Sequence, residues 1–184
     1  MLICISERLG APASIIEIHP GSNQSVSMKD IALAMRTLRQ TYGDHFNGRP
    51  PGIVLENRNG SIIEDGRQLR EFWTALQHHA PELCGSCGIV LDLSALSNTA
   101  GLQGDAFEDY LGAVPVEGIM GLHIHTRHQA PSPKDTIPWE TVFATVAGIP
   151  HDFFINPEIH HRDQVRETTA FCKGYLGEGG IKVS

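Results

Sequence analysis

Short apolar runs alternate with longer amphipathic stretches along this chain. Residues 14–19 (SIIEIH) read as a strand ended by Pro20-Gly21, two strong structure breakers. Ser27 is a good N-cap with Asp30 in the first turn, and Ile31, Leu33, Met35, Leu38 and Tyr42 form the apolar stripe of a helix that Gly43 is expected to stop. A Gly/Pro loop over 47–52 leads to a second strand, 52–57 (GIVLEN), and Leu69, Phe72, Trp73 and Leu76 predict a helix over 65–79. The third strand, 88–93 (GIVLDL), is continuously apolar, as strands buried on both faces are, and a short helix over 105–111 follows. A fourth strand over 119–125 (IMGLHIH), a helix over 139–147, a fifth strand over 153–156 and a helix over 163–175 complete the pattern.

Five strand-then-helix units predict an α/β fold with a parallel sheet and right-handed crossovers. The polar residues ending the strands are His19, Glu56, Asp92, His123 and Glu158, at intervals of 37, 36, 31 and 35 residues, the repeat length of a βα unit. In a TIM barrel such residues converge on one pocket, whereas in an open sheet they fan apart. The expected fold is therefore a partial (β/α) TIM barrel of about five parallel strands, in one domain over 1–184. A full barrel has about eight units. The deficit is expected at the front, because residues 3–9 look like the tail of a helix leading straight into the first strand. Such an arc leaves two unpaired edges and an apolar interior, which favours a homo-oligomer that covers them.

Composition narrows the function classes. An apolar content of 41% and a charged content of 19% fit a packed globular chain, and a net charge of -7 argues against non-specific nucleic-acid binding. No apolar run approaches the roughly 20 residues of a membrane span, and residues 1–8 lack both a basic leader and a signal-peptide core. Four cysteines, Cys4, Cys84, Cys87 and Cys172, are too sparse for a disulfide scaffold, so the expected compartment is the cytoplasm. Cys84 and Cys87 have redox or zinc spacing but neither a second pair nor a preceding strand, and read as a turn.

The chemistry concentrates at the strand ends. Glu56, Asp92, His123 and Glu158 offer three carboxylates and one imidazole, an oxygen-rich set that suits one divalent ion: manganese, magnesium or zinc. Each follows a buried apolar run, and carboxylates gathered without a cation would repel one another. His19 can add a ligand or a substrate contact. His125, two residues past His123, should by strand alternation face the same side. Arg58, Arg127 and His128 follow strand ends and read first as solvent-exposed loop charges, as do the paired His78, His79, His160 and His161.

The ordered segments Ile18-His19-Pro20-Gly21, Leu55-Glu56-Asn57, Leu91-Asp92-Leu93 and Leu122-His123-Ile124-His125, followed by Glu158, resemble the motifs of the xylose isomerase-like TIM barrel superfamily. That superfamily contains sugar isomerases and epimerases as well as endonuclease IV enzymes. The resemblance covers nearly the whole chain and implies the last five strands of the barrel. In the three-zinc endonucleases a histidine is expected where this chain has Ala95, and an Asp-x-His element falls on Asp135-Thr136-Ile137. The resemblance thus implies the single-metal isomerase and epimerase branch, with Glu56 and Glu158 moving a proton through a cis-enediol of a small sugar-like substrate. Asp92 and His123 would then be chiefly ligands. An apurinic endonuclease and a non-catalytic truncated barrel are the alternatives.

Overall fold

Buried parallel strands need apolar side chains on both faces, and β3 (Cys87–Asp92) is buried at every position. The computed structural model describes residues 1–22 and 25–177. Around β3 lie β2 (Gly52–Glu56), β4 (Ile119–His123) and the outer strands β1 (Ile15–Ile18) and β5 (Phe154–Asn156). The sheet order is β1-β2-β3-β4-β5 and every pair is parallel, so each strand pairs with the next in sequence. Such an order has no point at which strands reverse direction of addition, unlike a doubly wound sheet. The result is a half-barrel arc of a TIM barrel.

Helices α1 (Leu2–Leu9), α2 (Met28–His45), α3 (Gly66–His79), α4 (Leu93–Gln103), α5 (Phe107–Ala113), α6 (Trp139–Val146) and α7 (Gln164–Leu176) complete the fold. The main core lies between them and one face of the sheet, where Ile53, Leu55, Ile89, Leu91 and Leu122 meet Leu69, Phe72, Leu76, Leu96 and Val142. Capping boxes open two of the helices. Ser27 and Asp30 satisfy each other's backbone at the start of α2, and Asp65 and Gln68 do the same for α3.

Three expectations need correction. Gly43 does not stop α2, which runs to His45. Gly43 instead admits a close approach, since a Cβ there would sit 3.0 Å from the Pro50 Cβ. The short helix expected over 105–111 is α5, and a helix that was not expected precedes it, so that two helices follow β3. The first, α4, begins directly after Asp92, whose side chain accepts the Ala95 N–H at 2.9 Å and so caps it. The interior is also less exposed than an open arc suggests. Val54 and Val90, which alternate with the core-facing residues and so lie on the opposite face, are fully buried. On that face the Phe154 ring occupies the space beside Gly121, where a Cβ would lie 2.3 Å from it.

The first strand is preceded by α1, which docks on the end of α2 through a 2.6 Å hydrogen bond between Ser6 Oγ and Tyr42 Oη. Its Leu2, Ile5 and Leu9 remain exposed, as does Ile15 at the β1 edge. Cys84 and Cys87 flank a turn at Gly85 (φ 94°), and Cys87 opens β3. All four cysteines are free thiols. No helix among the described residues is long and apolar enough to cross a membrane.

Candidate metal centre at the strand ends

Glu56, Asp92 and His123 are the last residues of β2, β3 and β4, and Glu158 lies two residues beyond the end of β5. The register pairs Asp92 with His123 and His123 with Asn156, so the strand ends rise together along the arc. All four side chains each offer one ligand atom within 4.8 Å of the others. His123 Nδ1 lies 3.0 Å from Glu56 Oε1 and 3.2 Å from Glu158 Oε2. Neither contact is aligned as a hydrogen bond, which leaves that buried nitrogen without a partner. Carboxylate oxygens and a nitrogen crowded around one point, yet not bonded to one another, fit a divalent cation at their centre.

A residue outside the sequence expectations completes this centre. Glu17, on β1, brings Oε2 to 3.1 Å from His123 Nε2. The alternation of β1 marks Glu17 as an ordinary solvent-facing position, so nothing local singles it out. With Nε2–H donated to Glu17, His123 turns Nδ1 toward the three carboxylates, where it can serve as a ligand once its proton is displaced. The Asn156 amide also reaches this Nε2, at 3.2 Å. Burial disfavours a charged ring at His123, but the carboxylates of Glu17 and Glu56 outweigh it and lift the pKa to about 10 in the metal-free protein.

His19, just past β1, also reaches the centre. Its Nε2 is 2.6 Å from Glu56 Oε2 and its Nδ1 is 2.7 Å from Arg58 Nη1. A guanidinium can only donate, so Nδ1 accepts and the neutral ring carries its proton on Nε2, pointed at Glu56. Arg58 is exposed but is engaged with His19. His125 lies beyond the end of β4, which stops at His123, yet its buried ring faces the same side. Its Nε2 is 3.5 Å from Asp92 Oδ1 and 3.4 Å from Glu158 Oε2. Burial works to raise the Asp92 pKa, but the neighbouring His125 and the Ala95 N–H prevail and hold the carboxyl below its usual range.

The support around these groups is specific. Asn57, fully buried, donates to the Asp92 carbonyl at 3.0 Å and accepts the Asp92 N–H at 2.8 Å, tying the end of β2 to the end of β3. Ala95 and Ile137 are buried and offer no ligand atom. Asp135 is spent on its own loop, where Oδ2 accepts from the Thr126 hydroxyl, the Ser132 N–H and the Trp139 indole. Arg127 is exposed. His160 is exposed, as expected, and His128 is half-buried; the two form a column of stacked rings on His125, with centroids 4.7 and 4.4 Å apart.

No protein-family model and no curated protein matches the sequence. Solved structures do resemble the fold. The IolI protein with a bound zinc atom superposes with a TM-score of 0.61 at 13% identity, over 95% of this chain and 68% of that one. A D-tagatose 3-epimerase-like protein gives 0.59 at 16% identity, over 95% and 65%. The probable 3-DHS dehydratase AsbF of Bacillus anthracis gives 0.57 at 10% identity, over 94% and 67%. The chain thus spans about two thirds of the length of the proteins it resembles. These neighbours include sugar epimerases and a dehydratase, and at such identities they establish architecture alone. With five consecutive parallel strand–helix units whose polar ends meet on one side, the chain has a partial TIM-barrel fold, the architecture it shares with these proteins.

Proposed function

We propose that this protein is a divalent-metal-dependent isomerase or epimerase of a small sugar or sugar phosphate. The observation that carries the reading is the convergence of Glu56, Asp92, His123 and Glu158 within 4.8 Å. A divalent cation held by these four would polarise two adjacent substrate oxygens and lower the acidity barrier of the intervening C–H. The protein's own groups then move the proton. Glu56 or Glu158, as carboxylate, takes it from the hydroxyl-bearing carbon to leave a cis-enediol, and a proton returns from the same pair to the neighbouring carbon or the opposite face. His19 Nε2–H against Glu56 keeps that carboxylate oriented. Asp92, capping α4 and tied by Asn57, acts as a fixed ligand. The similar architectures that include sugar epimerases support the substrate class.

In this reading the chain supplies the last five units of the barrel. A second copy covers the β1 edge, where Leu2, Ile5, Leu9 and Ile15 are exposed; light scattering reports its presence or absence. The cytoplasm is the expected compartment, in keeping with four free thiols.

The direct test is incorporation of deuterium from solvent into substrate carbon, followed by NMR over a panel of ketoses and aldoses with manganese, magnesium or zinc. Metal-dependent exchange that is lost in Glu158→Gln is the expected result. No exchange, together with incision of abasic DNA by the same preparation, overturns the reading in favour of a nuclease.

A further inference from the structure

His125 is 2% exposed, and its Nε2 has no aligned hydrogen-bond partner. The ring's other nitrogen decides what this atom can do. The backbone N–H of His128 donates to His125 Nδ1 at 3.0 Å. A backbone amide has only a proton to offer, so Nδ1 holds a lone pair and the neutral ring carries its hydrogen on Nε2. That N–H points between Asp92 Oδ1 and Glu158 Oε2, at 3.5 and 3.4 Å, without reaching either in good alignment. Nε2 therefore lacks the lone pair a metal ligand requires. It is a buried donor without an aligned acceptor, and such groups are costly to keep.

The chain invests strain to hold this arrangement. Thr126 and Gln129 exchange backbone hydrogen bonds, 3.0 Å each way, around a two-residue turn. Its central residues, Arg127 (φ 50°) and His128 (φ 58°), both have positive φ, as a type I′ turn demands, where Asn-Gly is the usual choice. The turn aims the His128 N–H back at His125 and brings the two rings into parallel stacking, 8° apart. His128 Nδ1 in turn lies 3.2 Å from the Glu158 carbonyl, linking the turn to the loop that carries Glu158. His19 has the same Nε2–H tautomer, but its ring is half exposed and its Nε2 sits 2.6 Å from Glu56 Oε2. Of the two, His125 is the buried ring with the longer contacts.

We propose that His125 is a substrate-contacting residue, its fixed Nε2–H donating to the substrate oxygen that gains negative charge as the adjacent carbon loses its proton. This rests on the isomerase reading above. A positioned donor to a developing oxyanion contributes about 10²–10³-fold to kcat. The ligand set accordingly stays at Glu56, Asp92, His123 and Glu158.

Two measurements on the full chain test it. Long-range 1H–15N correlation on 15N-histidine protein should show His125 protonated at Nε2. Calorimetric titration of the zinc-loaded protein with glycolohydroxamate, a planar mimic of an enediolate, should show affinity falling about 10–100-fold in His125→Ala, as for loss of a hydrogen bond to a charged group. Affinity should be partly restored in His125→Gln, while zinc affinity stays within about twofold of wild type, because His125 Nε2 makes no aligned hydrogen bond that would hold Asp92 or Glu158 in place. A proton on Nδ1, no hydroxamate binding by the wild type, or zinc and hydroxamate affinities falling together would overturn the proposal. Hydroxamate binding through His125 without turnover of any sugar keeps this inference and removes the isomerase reading. Proton exchange undiminished in His125→Ala does the reverse.

Discussion

Glu17 and His123 stand 106 residues apart in the chain, yet Glu17 Oε2 accepts from His123 Nε2 at 3.1 Å. The contact spans the arc from β1 to β4 and orients the imidazole whose other nitrogen faces three carboxylates. Outer partners of this kind typically contribute about 10–100-fold to metal affinity. Glu17→Gln should therefore weaken zinc binding by about that factor, with the fold intact by circular dichroism. Affinity equal to wild type would show that the carboxylate does not set the ring.

Metal uptake should depend on pH in a defined direction. The folded, metal-free His123 has a pKa raised to about 10 from an ordinary 6.5, burial being outweighed by Glu17 and Glu56. The ring is thus charged at neutral pH, and a cation must displace the proton on Nδ1. Affinity should rise about tenfold per pH unit between about pH 7 and 10, with about one proton released per ion. Calorimetry in buffers of different ionisation enthalpy measures this directly, and zero release would contradict it. The same raised pKa stabilises the metal-free fold fully below about pH 6.5, and that contribution is lost as pH climbs through about 10.

Asn57 is the position at which stability and the centre are most tightly joined. Asn57→Ala removes both hydrogen bonds to the Asp92 backbone and leaves a buried N–H and C=O unpaired. Each such group costs about 1–3 kcal/mol, so denaturant unfolding should show a loss of about 2–6 kcal/mol, together with weaker zinc binding. A loss below about 1 kcal/mol would mean that the strand ends hold their register without it.

Gly66 offers a control far from the chemistry. A Cβ there would meet the Tyr110 carbonyl oxygen at 1.8 Å, so α3 can approach α5 only with glycine at this point. Gly66→Ala should destabilise by about 3 kcal/mol through overpacking against backbone, while the ratio of zinc affinity to wild type stays near one in whatever fraction folds. Unchanged stability would require the helices to part.

Much of the architecture could be read from residue order because buried parallel strands leave continuous apolar runs such as Ile89-Val90-Leu91. The convergence of the candidate ligands was legible for a related reason: Glu56, Asp92 and His123 each interrupt such a run at its C-terminal end. What escaped has a physical cause in each case. Asp92 serves both as a strand end and as the cap of α4, so a helix starts where a loop was expected. Gly43 has the composition of a stop signal but is used for contact with Pro50. Glu17 lies on a short edge strand whose alternation is ordinary, and only the curvature of the sheet carries it to His123. The stacked histidines depend on two left-handed residues, Arg127 and His128, that no local propensity favours.

Because every strand pairs only with its sequence neighbours, the sheet behaves as a linear zipper rather than a closed ring. Its last tooth is the weakest: β5 has three residues, none fully buried. Opening should begin there, at a free-energy cost below that of global unfolding, and amide exchange should grade from β3 outward to Phe154–Asn156. Glu158 lies just beyond that fraying end. An ion held at the candidate centre would therefore exchange through a local opening of the outermost strand, and by bridging Glu158 to Asp92 and Glu56 it would slow amide exchange in β5 ahead of every other element.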